Sequence, residues 1–295
     1  METMAQLLED IEESRKKHRA RQAGKQPQLR VVAEPASAPV PAQAAPEQLP
    51  LWSDAVRGVP NAILRSALFG VVRHGKKREY LERELKASVN GISIRYTGMQ
   101  LDQSSDLDVW EQCLHIARTE RVGEVVRFKL KAFLKSIGRG TGGTDRKWLI
   151  STLSRLQATS VEIQSGGLAY SGSLLPHLWE NKNTGEYCLQ LNEKILCLFG
   201  AGAWTGIERD ERKSLAGKSL AQWLHGFYSS HAEPYPYKVE TLWGLSGSTV
   251  SHLRNFRVKL KVALAALEQA TGWQCHIDEK SDLVYVKKPK HLHLV

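Results

Sequence analysis

The sequence predicts an α+β protein in which one arrangement of helices, tight turn, further helix and hairpin occurs twice, behind an N-terminal stretch unable to fold by itself. Three observations carry this. Lys238 to Glu268 reads as a short helix, the turn Gly244-Leu-Ser-Gly247 and a long helix. Trp273-Gln-Cys-His-Ile and Leu283-Val-Tyr-Val-Lys-Lys then flank the polar turn Asp278-Glu-Lys-Ser-Asp, the pattern of a β-hairpin. A comparable order of helices, turn, helix and strands runs upstream, from Leu107 to Leu191. Finally, Pro27 to Glu47 is rich in Pro, Ala and Gln with almost no large apolar residue after Val32, so it cannot bury a core and reads as an extended tether.

Taken in order, Met1 to about Arg21 carries a small amphipathic pattern (Leu7, Leu8, Ile11) and ends in a basic run, either a docking element or a frayed tail. At the end of the tether, Gln48-Leu-Pro-Leu-Trp52 sets large apolar residues beside a bare linker. Leu51 and Trp52 either begin the folded body or anchor a short peptide in a partner's pocket. Asn61 to Val72 looks helical, and Gly91-Ile-Ser-Ile-Arg-Tyr alternates like a strand. Leu107 to Arg118 is a helix begun by Ser105 or Asp106. Val125 to Leu130 reads as a strand or the start of a helix ending at Ile137.

After the break Gly138–Gly143, where Arg139 suits a phosphate contact, Thr144 to about Ala158 is a helix. Its Leu149, Leu153 and Leu156 face one way and Thr144, Lys147, Trp148, Ser151 and Arg155 the other. Ser160-Val-Glu-Ile-Gln and Tyr187-Cys-Leu-Gln-Leu bracket turn-rich sequence and predict a second wing-like sheet. A second unit begins near Ala203, with a helix over 219–230 and a rigid break at Pro234-Tyr-Pro-Tyr. The fold expected is therefore tandem winged-helix domains after a disordered N-terminal tether: 1–57 flexible with a partner-binding peptide, 58–202 the first domain, 203–295 the second.

The long helix carries the chemistry. With Ser248 or Thr249 as N-cap and Gly272 just beyond its end, Leu253, Phe256, Leu260, Leu264 and Leu267 fall on the buried side. The opposite face holds Ser251, Asn255 and Val258, with Arg254 and Lys261 on one shoulder and Ser248 and Lys259 on the other. Such a face fits the major groove of DNA, where Arg reads guanine, Asn reads adenine and an apolar group meets the thymine methyl. Ser251, Arg254 and Asn255 suit base contacts, whereas Lys259 and Lys261 suit phosphates. Arg257 projects toward the core shoulder and suits a backbone contact or a structural ion pair.

Composition agrees with a polyanionic partner: the net charge is +10 and the pI about 9.4. No apolar run reaches the length of a membrane span and no signal peptide is visible, which predicts a cytoplasmic protein. Cys113, Cys188, Cys197 and Cys275 lack metal or redox spacing and read as reduced thiols. Leu215-Ala-Gly-Lys-Ser219 matches only the end of a phosphate-binding loop, since Arg212 stands where the first glycine is required. No zinc motif or nucleophile elbow occurs, and His291 and His293 read as a terminal tail. No catalytic residue, metal or cofactor is expected.

The chain also resembles the TrfA-type replication initiators of IncP broad-host-range plasmids, in their short form. The resemblance covers Gly58 to Lys288 and rests on Gly58-Val-Pro-Asn-Ala-Ile-Leu-Arg-Ser-Ala-Leu-Phe69, Arg78-Glu-Tyr-Leu, Gly91-Ile-Ser-Ile-Arg-Tyr-Thr-Gly98 and the Trp243–Lys261 segment. It implies a bacterial cytoplasmic protein that binds direct repeats (iterons) of double-stranded origin DNA, opens adjacent AT-rich DNA with contact to single strands, and recruits the host initiator, replicative helicase and sliding clamp. It also implies a monomer–dimer equilibrium in which monomers are active. Gln48, Leu49, Leu51 and Trp52 look like the family's clamp-binding peptide, with Pro50 replacing a small polar residue and Trp52 a Phe. Read without the resemblance, the residues also suit a sequence-specific transcriptional repressor.

Overall fold

The computed structural model describes residues 48–289, apart from 73, 74 and 76. The expected amphipathic start, the tether over 27–47 and His291 and His293 lie outside the described residues. The chain is a mixture of helix and sheet built around two hydrophobic cores. One is centred on Trp110, Leu153 and Ile163, the other on Trp223, Phe227 and Phe256.

The first half opens with β1 (Val56–Pro60), α1 (Asn61–Leu64), β2 (Phe69–Gly70), β3 (Tyr80–Lys86), β4 (Ile92–Met99) and β5 (Leu101–Asp102). There follow α2 (Asp106–Ala117), β6 (Val126–Phe128), α3 (Leu130–Ser136), α4 (Gly143–Gln157), β7 (Ser160–Ser165), β8 (Leu168–Gly172), β9 (His177–Asn181) and β10 (Glu186–Gln190). After a 3-10 turn come β11 (Trp204–Glu208), α5 (Arg209–Ser214), α6 (Ser219–Ser229), β12 (Tyr237–Lys238), α7 (Val239–Leu245), α8 (Leu253–Thr271), β13 (Gln274–Asp278) and β14 (Leu283–Lys287).

An internal repeat emerges from this order. In each half a helix (α2 or α6) precedes a short strand, two helices joined by a turn, and a hairpin. The short strand pairs with the hairpin's second strand, giving sheet orders β6-β10-β9 and β12-β14-β13. The first half carries an insertion, β7 and β8, which leaves the hairpin and joins β3 and β4 in a four-stranded antiparallel sheet of order β3-β4-β7-β8.

Three elements of the fold differ from their sequence expectation. Ser160–Gln164 and Tyr187–Leu191 do not share a wing. β7 pairs with β4, in register Ile94–Ile163 and Tyr96–Val161, so four apolar side chains share one buried face, while β10 pairs with β6 and β9. Asn61–Val72 is helical only over α1, because beyond it the backbone of Ala67 and Val89 bonds across to 87 and 65 and Phe69 pairs in parallel with Leu101. The long helix starts at Leu253, with His252 as N-cap and no side-chain cap bond, so neither Ser248 nor Thr249 caps it. Its end is as expected: Gly272 is left-handed, at φ 70°.

The two halves are firmly joined. β1 and β11 form one antiparallel ladder. Arg212, almost fully buried, reaches from α5 to Asp108 (2.7 Å), the Gln103 carbonyl (2.9 Å) and Glu111 (3.4 Å). The turn before α8 is stitched to the loop after β2: the Val71 N–H donates to Ser246 O (2.9 Å), and the Thr249 N–H donates to Val71 O (3.3 Å).

Candidate nucleic-acid interface

The outer face of α8 is set by what its inner face buries. Phe256, Leu260, Ala263, Leu264 and Leu267 repeat at three- and four-residue spacing against α6 and the sheet. Truncating one of the large ones to Ala costs about 2–5 kcal/mol, so the helix cannot rotate about its axis to show another side. The turn is held by the Trp243 indole, which donates to Val250 O at 3.1 Å, and by the Ser246 hydroxyl, which donates to Trp243 O at 2.9 Å. At the far end, the Cys275 N–H donates to Glu268 Oε1 at 2.7 Å, tying the hairpin to the helix.

Of the residues expected to meet DNA, Arg254, Asn255, Val258 and Lys259 project from α8 as exposed side chains. Ser248 and Ser251 lie in the turn before it, Ser251 exposed and Ser248 half-buried, so they flank the helix instead of sharing its face. Arg257 forms a two-pronged pair with Asp282 of the hairpin tip (Nε–Oδ1 3.0 Å, Nη2–Oδ2 2.7 Å). Lys261 pairs with Glu279 of the same tip at 3.1 Å. The latter pair is exposed on both sides, so it contributes at most about 1 kcal/mol. The tip carboxylates were missed by the sequence reading, although Asp278, Glu279 and Asp282 stand out in a basic chain.

In the first half, α3, its following turn and α4 present Lys147 and Ser151 as exposed side chains. Arg139 lies 3.6 Å over the Trp148 ring and 3.2 Å from Asp145, which holds it at the foot of α4. Arg155 turns inward instead. It donates twice to Oδ1 of the buried Asp106, at 2.9 and 2.7 Å, while Arg78 and the Asp102 N–H (2.7 Å) occupy Oδ2.

The expected partner peptide has its own geometry. Leu49 and Trp52 are buried and Leu51 is 72% exposed. The Gln48 amide donates to Arg118 O at 2.9 Å. The Trp52 indole N–H donates to His115 Nδ1 at 3.1 Å, and its ring stacks on Phe199 with planes 17° apart and leans on Trp204. A Cβ at Gly58 would lie 2.5 Å from the Trp52 ring, so this socket requires glycine. Burial, and next the guanidiniums of Arg57 and Arg118, push the His115 imidazole down to about 4. That keeps it neutral and able to accept the indole proton.

A folded-state value below the ordinary 6.5 means the unfolded chain takes up the proton first. The stabilisation is therefore complete above pH 6.5 and is lost as pH falls through 6.5 toward 4. The urea midpoint is expected to drop across that window in the wild type and less in His115→Gln; parallel curves would remove His115 as the titrating group.

Among the described residues, no group of three or more His, Cys, Asp or Glu is placed to hold a metal ion. No described helix is long and apolar enough to cross a membrane.

Comparison with known proteins adds to this geometry. A family model described as TrfA protein matches residues 42–288. The plasmid replication initiator protein TrfA of Escherichia coli is 30% identical over 243 residues, which is 80% of this chain and 63% of that protein. The chain thus spans less than two thirds of the length of this curated relative. Among solved structures, domains 2 and 3 of RctB superpose with a TM-score of 0.51 at 13% identity, covering 78% of this chain and 99% of that one, a likeness of fold. The Pi initiator protein in complex with iteron DNA gives a TM-score of 0.45 at 11% identity over 68% of this chain and 99% of that one.

Proposed function

The chain belongs to the TrfA family, and from that premise we propose that it is a plasmid replication initiator acting in the bacterial cytoplasm. It binds iteron repeats of an origin through two winged-helix units, 58–202 and 203–295, promotes opening of AT-rich DNA and recruits host replication proteins without catalysing a covalent reaction itself. The observation that supports this best is the outer face of α8, where Arg254, Asn255, Val258 and Lys259 stand exposed together on a helix locked by its buried side. Arg254 and Asn255 are the base readers. Lys259 and Lys261, with Ser248 and Ser251 at the turn, are backbone contacts, and Arg139, Lys147 and Ser151 serve the first unit. Arg155 and Arg257 act by holding the framework, the one through Asp106 and the other through Asp282.

Footprinting on direct repeats, followed by a strand-opening assay on the adjoining AT-rich DNA, tests the whole reading. Protection with opening is expected. Protection without opening would favour a repressor, and cleavage or primer synthesis an enzyme. Lys147→Ala and Lys259→Ala are each expected to weaken binding to all duplexes alike and to flatten the salt dependence by about one unit of slope. A slope equal to wild type would remove that lysine from the contact set.

The segment 48–52 is the sliding-clamp peptide in this reading, and its use requires Trp52 to leave the socket described above. Gly58→Leu, which fills the place of the ring, is expected to increase clamp capture in a pull-down, while Leu51→Ala with Trp52→Ala abolishes it. Undiminished capture by the double variant would exclude the peptide.

A further inference from the structure

Val258 and Val262 are 63% and 68% exposed on α8, one turn apart. A β-branched residue on an open helix face is a poor choice twice over: it lowers helix propensity relative to Ala or Lys, and it leaves apolar surface in water. Val262 stands one turn from Val258 and off the core-facing stripe, a spacing already present in the sequence. At about 100° per residue, Val258, Val262, Asn255 and Lys259 lie within an arc of roughly 100°. The same two valines line a groove of about 400 Å³ together with Val71, Val250, Lys218 and Lys259. An apolar line bordered by cations and by an amide able to read adenine complements a DNA strand in its major groove.

We infer that Val258 and Val262 form a two-point reader of thymine 5-methyl groups, with one strand's backbone lying in the groove between α8 and the start of α6. The inference rests on the duplex-reading role proposed above and adds a second reader, Val262, and the spacing of the two thymines. Four residues of helix advance about 6 Å, close to two base-pair steps of about 3.4 Å. The two methyls therefore belong to thymines about two steps apart, beside the position read by Asn255.

The test uses duplexes enriched by the full chain from a randomised library, then remade with deoxyuridine in place of every thymidine, which deletes the methyl and leaves base pairing intact. Wild type is expected to bind the deoxyuridine duplex about tenfold more weakly, or about 1.4 kcal/mol. Val258→Ala with Val262→Ala is expected to bind both duplexes equally, near the wild type's deoxyuridine level. Both side chains are exposed, so the variant folds, which a thermal melt checks. Deoxyuridine without effect on wild type, or with its full effect kept in the double variant, overturns the inference while leaving duplex reading intact. That result is also the one expected if the groove seats a peptide instead. Failure to enrich any duplex overturns the duplex-reading role itself, and this inference with it.

Discussion

Asp106→Ala is expected to destabilise the protein by about 3–5 kcal/mol, the range for removing one partner of a buried, hydrogen-bonded ion network. The Asp106 side chain is fully buried, and its two oxygens serve Arg155, Arg78 and the Asp102 N–H. It stands at the first position of α2, where a carboxylate also complements the helix dipole. Its loss leaves the guanidiniums of Arg78 and Arg155 without the carboxylate that both contact. Urea unfolding measures the effect, and a loss below about 1 kcal/mol would show the network to be dispensable. Arg155→Gln separates structure from DNA binding: it should lower stability while leaving DNA affinity, measured where the variant is folded, unchanged. A loss of affinity in the folded variant would return Arg155 to the contact set.

Arg254→Ala combined with Asn255→Ala is expected to remove about 2–6 kcal/mol of discrimination between cognate and base-substituted duplexes, at about 1–3 kcal/mol for each base contact. Both side chains are exposed, so thermal stability should stay within about 0.5 kcal/mol of wild type. Residual binding to any duplex should persist through the lysines. Competition with singly substituted duplexes reads this out position by position. A preference profile identical to wild type would place base reading elsewhere on the molecule.

Much of the molecule was legible in the sequence where a local pattern determines a local structure. The helices α2, α4, α6 and α8 follow from apolar spacing of three and four, and α8 stops where Gly272 can turn left-handed. The strand β4 follows from alternation. The hairpin β13–β14 was legible too, because its strands are neighbours in sequence; what escaped was the choice of partners distant along the chain. Ser160–Gln164 has the same alternation whether it pairs with β4 or with β10, and only the apolar faces of Ile94 and Tyr96 decide between them. The strand β3, with exposed or half-buried side chains along most of its length, gave no alternating signal.

Within the candidate site, the exposed face of α8 could be projected from helical geometry because its buried stripe is strong. The helix start could not, since Ser248 and Thr249 are good caps by residue type. Their turn is instead held by Val71 from the other half of the chain. The same division separates the cations. Lys147, Lys259 and Arg254 remain on the surface as sequence spacing suggests, and Arg257 takes the structural ion pair that its place on the core shoulder suggests, whereas Arg155 is claimed by Asp106, 49 residues away. Residue type and period, acting within a few residues, determined the helices, their polar faces and the basic character of the protein. Which cations stay free, which strands pair and where Trp52 lodges depend on groups brought together from distant positions, because burial and ion pairing act through space and not along the chain.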